Sequence, residues 1–91
     1  MAHVIVGIKI MPEGPEKDLQ KIEEEAKEKI VQFGGTVQKT ETQPVAFGLN
    51  SVNITFSMDE NLGDTEQLEQ DISEVQDVNS VQVESVSRAL G

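Results

Sequence analysis

The stretch from Val52 to Met58 constrains the fold most. Val52, Ile54, Phe56 and Met58 alternate without exception with Asn53, Thr55 and Ser57, a period of two that suits an extended strand with one buried face. A run near the start repeats the pattern, with Val4, Val6, Ile8 and Ile10 on one face and His3, Ile5, Gly7 and Lys9 on the other. Each of these half-buried strands is followed by apolar residues at helical spacing. After the first, Leu19, Ile22, Ala26, Ile30 and Phe33 recur at three and four, and Glu23, Glu24, Glu25, Lys27, Glu28 and Lys29 fill the other faces. After the second, Leu68, Ile72 and Val75 form a shorter stripe. Both stripes need a sheet to cover.

Punctuation between these segments sets their ends. In "MPEGPEKDL" Gly14 is expected as a permissive cap and Pro15 at the first helical position, where its missing N–H costs nothing, with Glu16 and Asp18 in the first turn. Gly34 and Gly35 stop that helix, since glycine takes the left-handed cap conformation freely. "TVQKTET" alternates weakly and is polar enough for an edge strand. Asp64 or Thr65 caps the second helix. In the closing segment Val81 and Val83 are in phase while Val78 and Val86 are not, which predicts a bend or bulge.

The order strand, helix, strand, strand, helix, strand matches an α+β, ferredoxin-like split βαβ arrangement (β-α-β-β-α-β). Four antiparallel strands then carry both helices on one face. The length of 91 residues suits one domain over 1–91. Its other sheet face would be half polar, lined by His3, Ile5, Gly7, Asn53, Thr55 and Ser57.

Composition removes several chemistries. There are 17 acidic against 7 basic residues, a net charge of −10, which opposes nonspecific attraction to nucleic acid or to an anionic membrane. Without cysteine there is no disulfide or thiolate chemistry. The opening apolar run is too short to span a bilayer and lacks a basic leader, so a cytoplasmic location is expected. "NIT" at Asn53 matches a glycosylation pattern but falls in a strand. His3, the one histidine, has no nucleophile in a recognised context beside it. The acidic run Asp59 to Asp64 places its glycine where a calcium loop needs a ligand, and "GGT" ends a helix instead of opening a phosphate cradle. No catalytic residue, metal ligand or cofactor site is expected. RNA binding on such a sheet asks for exposed aromatic and basic residues, and the chain has neither tyrosine nor tryptophan.

Two features remain outside this structural reading. "TQPVAFGLNS" places Val45, Ala46, Phe47 and Leu49 between Pro44 and Gly48, in a loop where Asn, Asp or Ser would be ordinary. Phe47 there either folds over the end of the core or serves as an aromatic anchor for a partner. "SRALG" carries Arg88, the only arginine, at the end of the last strand. It is either a solubilising tip or a cation offered to an acidic or phosphate-binding site. Pattern alone supports a ferredoxin-like binding domain, including a noncatalytic regulatory or oligomerisation module. A small acylphosphatase-like hydrolase would need a phosphate-cradling loop with arginine and asparagine, and "MPEGPEKD" has neither.

The whole chain resembles the archaeal elongation factor 1-beta family. "IKIMPEGP", "PVAFGLNSVNITFSM", "LGDTEQLEQDI" and "VNSVQVESVSRAL" carry the resemblance, the second and last being similar to parts of the exchange domain of the eukaryotic beta subunit. The resemblance implies a guanine-nucleotide-exchange factor, not an enzyme, that binds elongation factor 1-alpha in its GDP-bound and nucleotide-free forms. It implies contact with that partner's nucleotide-binding domain near the magnesium and phosphate region, and with its second domain. The expected partner-binding residues are Pro44, Val45, Phe47, Gly48 and Leu49 in the loop, and Ser87, Arg88, Ala89 and Leu90 at the strand end. In eukaryotic relatives a lysine is directed toward the magnesium site, and the matching position here is Arg88. Arginine is the departure, because its planar group is bulkier than an ammonium.

Overall fold

In the computed structural model, which describes residues 2–90 and the side chains of 3–88, the two alternating runs become the two central strands. The elements are β1 (Ala2–Pro12), α1 (Leu19–Phe33), β2 (Thr36–Pro44), β3 (Asn50–Asp59), α2 (Glu66–Ser73) and β4 (Val78–Leu90). The strands form one sheet in the order β2-β3-β1-β4, with every neighbouring pair antiparallel. This is the expected ferredoxin-like arrangement. β2, the polar strand, lies at one edge, where its exposed side chains meet water.

The core follows the alternation. Val6, Ile8 and Ile10 of β1 and Val52, Ile54, Phe56 and Met58 of β3 are buried in one cluster with Ile22, Ala26 and Ile30 of α1 and Leu68 and Ile72 of α2. Both helices therefore cover the same face. Each fully buried Ile, Leu or Phe contributes about 1.5–3 kcal/mol, so the apolar phase is what fixes strand register. Gly35 lets the chain leave α1 tightly: a Cβ there would stand 2.9 Å from Ile30 Cγ2 and 3.0 Å from Phe56 Cδ2.

The start of α1 differs from expectation. Gly14 and Pro15 belong to a separate turn closed by the Lys17 N–H donating to the Gly14 carbonyl at 3.3 Å, and the helix begins four residues after Pro15. Asp18 is the cap, its carboxylate accepting from the amides of Gln20 at 3.0 Å and Lys21 at 3.3 Å. A side-chain acceptor satisfies helix-end donors that neither Gly nor Pro can reach. At the other end Gly34 takes φ 111°, the left-handed cap expected of it.

The phase break in β4 resolves into two bulges. Gly7 pairs with Ser85 but Ile8 with Val83, leaving Glu84 extra, and Met11 pairs with Ser80 but Pro12 with Val78, leaving Asn79 extra. Each insertion flips the alternation once. As a result Val78, Val81, Val83 and Val86 all share the helix-side face with their β1 partners Pro12, Ile10, Ile8 and Val6.

Candidate functional site

β2 and β3 pair as far as Pro44 and Asn50, and the five residues between them form the loop. The Val45 N–H donates to the Leu49 carbonyl at 2.7 Å, and the Leu49 N–H to the Ala46 carbonyl at 3.3 Å. Closure this tight forces Phe47 to φ 63° and Gly48 to φ 76°. Glycine adopts that region freely, whereas a bulky residue is strained there. Phe47 is nevertheless 95% exposed. The reading in which it folds back over the core is therefore overturned: strain and exposure both weigh against folding, and no packing offsets them. Val45 and Leu49 are half-buried, and Pro44 and Gly48 are exposed.

Arg88 lies at the far end of β4. It pairs with Val4, whose other neighbour is Met58, and so stands on the helix-side face. Val86, two residues before it on the same face, is 63% exposed. A hollow of about 180 Å³ opens there, lined by Val4, Val6, Met58, Val86 and the segment Gly63, Asp64 and Thr65 that leads into α2. The Arg88 guanidinium donates to the carboxylate of Glu60 in the turn Glu60–Leu62 that follows β3. Ser87 pairs with Ile5 and is exposed on the open face. Ala89 and Leu90 continue the ladder opposite His3 and Ala2, but their side chains lie outside the described residues.

The two groups of expected contact residues are not brought together. Asn50, paired with Pro44, and Met58, in the row with Val4 and Arg88, are eight positions apart along β3, which is about 26 Å at the rise of a strand. The molecule is 42 Å long. A partner that touches both groups must span most of that length.

Sequence reasoning missed Glu60 and the apolar hollow beside Arg88. Glu60 lies in the acidic run Asp59 to Asp64 with nothing local to mark it, and only the pairing of β4 with β1 brings Arg88 back to it. The hollow has a sequence signal in Val86, an apolar residue near the end of the last strand, but its shape depends on where the Gly63, Asp64 and Thr65 segment before α2 lies.

The rest of the surface offers little chemistry. A polar depression of about 230 Å³ on the open face, beside Gly7, is lined by Gln43, Asn53, Thr55, Glu84 and Ser85. Asn53 Oδ1 is buried and Asn53 lies within β3, so the Asn-X-Thr pattern is not presented on a loop. On β2 a hydrogen bond from Lys39 to Glu41 at 2.8 Å, and their opposite charge, raise the Lys39 pKa above its ordinary value. That pair is exposed and far from Arg88. Among the described residues no group of three His, Cys, Asp or Glu is placed to hold a metal ion, and no helix is long and apolar enough to cross a membrane.

Known proteins align with these features. A family model described as the EF-1 guanine nucleotide exchange domain matches residues 5–89. Elongation factor 1-beta of Methanocella arvoryzae is 38% identical over 90 residues, which cover 99% of this chain and all of that protein. Its counterpart in Haloarcula marismortui is 38% identical over 88 residues, covering 97% of this chain and 99% of the other. Among solved structures, the ACT domain of a GTP pyrophosphokinase from Chlorobium tepidum superposes with a TM-score of 0.59 at 18% identity, covering 87% of this chain and 95% of that one. A de novo designed protein, Foldit4, gives 0.61 at 19% identity, covering 98% of each. Likeness at that identity shows the fold alone. The match over nearly the whole chain shows more: the protein belongs to the EF-1 guanine nucleotide exchange domain family and is a guanine-nucleotide-exchange factor of translation elongation.

Proposed function

We propose that the protein loosens the magnesium and phosphate site of elongation factor 1-alpha, the GTPase on which it promotes exchange of GDP for GTP, by gripping it at both ends of the sheet. The observation that carries this reading is the separation of an exposed, strained Phe47 from the chain's one arginine by the length of the sheet. Phe47, with Pro44, Val45, Gly48 and Leu49, supplies apolar contact to one part of the partner. Ser87, Arg88 and the Ala89–Leu90 end reach the nucleotide site. The acidic surface steers encounter with basic regions of the partner. We place the activity in the cytoplasm, in a single exchange domain over residues 1–91.

The chemistry needs no covalent step. Magnesium and GDP hold each other in place because the ion offsets phosphate charge. A cation brought to that site disturbs the ion's coordination and lowers the affinity for nucleotide. The factor binds the loosened and nucleotide-free forms better than the tight GDP-bound one, and this difference is a coupling free energy that leaves the overall equilibrium untouched.

Magnesium dependence tests this account. The fold acceleration of GDP release should fall as free magnesium is raised, because the ion and the factor compete. With magnesium removed by a chelator the partner releases GDP quickly unaided, and the factor should add little. An acceleration of the same size at every magnesium level, chelator included, would place its action away from the metal.

A further inference from the structure

We infer that Glu60 is a positioning residue for Arg88, an assignment that rests on the proposed role of Arg88 at the partner's nucleotide site. The two residues are 28 apart in sequence and meet because β4 returns along β1 to the end where β3 finishes. The turn that carries Glu60 is braced independently of Arg88. Asp59 caps it by accepting from the Asn61 amide at 2.8 Å, and the Gly63 N–H donates to the Glu60 carbonyl at 3.3 Å. Leu62 leans on the end of α1, its Cδ1 lying 3.1 Å from where a Gly34 Cβ would stand. A carboxylate carried on a braced turn therefore faces a long, flexible side chain.

Magnitudes decide what such a pair can do. Arg88 and Glu60 are 64% and 37% exposed, and ion pairs open to solvent contribute little. That is too weak to withhold arginine from a phosphate-rich site, where charge-assisted bonds are stronger and less screened. It is enough to bias a side chain with many rotamers toward the turn that carries Glu60, so that less ordering remains when the partner arrives. Glu60 sets where Arg88 starts, and the partner then takes it over. The benefit appears in the rate of exchange, since Arg88 acts after docking, and not in the affinity of the first encounter.

The test is a double-mutant cycle with Glu60→Gln, Arg88→Gln and the double variant, each full-length, measured by release of a fluorescent GDP analogue from elongation factor 1-alpha. Glu60→Gln should lower the maximal acceleration about threefold, within what an exposed pair can supply, with the half-saturating concentration unchanged. In the Arg88→Gln background the same substitution should have no effect. Equal losses in both backgrounds would mean that Glu60 acts through the turn alone and would overturn the inference, as would no change on Glu60→Gln. A faster Glu60→Gln variant would also overturn it and make the pair a restraint. If the wild type accelerates release but Arg88→Gln matches it, the role of Arg88 is lost and the inference with it. If the wild type itself gives no acceleration, the exchange reading fails first.

Discussion

Replacing Phe47 by alanine should weaken binding to elongation factor 1-alpha by about 30-fold, the loss of roughly 2 kcal/mol expected for an aromatic anchor at the centre of a contact. Stability should hardly move. The side chain is 95% exposed, so its removal leaves no cavity, and exposed substitutions usually stay within about 0.5 kcal/mol, a shift in Tm of no more than about 3 °C here. Alanine at φ 63° is strained much as phenylalanine is, so the loop keeps its shape and the comparison isolates the ring. A held position is what makes the ring useful: less is lost in ordering it on contact. Titration calorimetry beside thermal unfolding checks both halves. A large fall in Tm with unchanged affinity would contradict the assignment.

Arg88→Gln should act on the other quantity. The maximal acceleration of GDP release should drop at least about tenfold, since a hydrogen bond to a charged group contributes about 1.5–3 kcal/mol, while the half-saturating concentration changes less than about threefold. Arg88 sits on an exposed strand end with one weak ion pair, so it adds little to docking. Arg88→Lys keeps the charge and should retain most of the rate, because the account needs a cation at that place more than a planar fork. Truncating residues 87 to 91 is a blunter tool, as Ser87 and Arg88 pair with Ile5 and Val4 of a central strand. An Arg88→Gln variant that binds poorly yet, at saturation, exchanges at the full rate would reverse the division of labour between the two ends.

Much of the fold was legible because burial imposes it. A pleated strand with one buried face must alternate, so β1 and β3 could be placed in phase from Val4 to Ile10 and Val52 to Met58. The bulges of β4 announced themselves as a phase error between Val78, Val81, Val83 and Val86, although Glu84 and Asn79 could not be singled out as the extra residues. The start of α1 was misplaced because two capping signals compete within five residues. Gly14 and Pro15 offer a backbone conformation, Asp18 offers an acceptor, and the helix begins where donors are satisfied.

The site was legible in its parts and not in its arrangement. Phe47 stood out as an apolar residue in a turn, and Arg88 as the one arginine of an acidic chain. The distance between them follows from strand direction: the β2–β3 loop and the end of β4 lie at opposite ends of antiparallel neighbours of β1 and β3. Glu60 could not be paired with Arg88 without that topology, because among so many acidic residues no local pattern marks one carboxylate as the partner of a distant cation.

The measurement closest to the centre of this account is the rate at which a fluorescent GDP analogue leaves archaeal elongation factor 1-alpha, in magnesium and excess GDP, as the protein is titrated in. The account predicts an acceleration that saturates with concentration. A folded sample that leaves the rate unchanged, across partner proteins and salt levels, would contradict it.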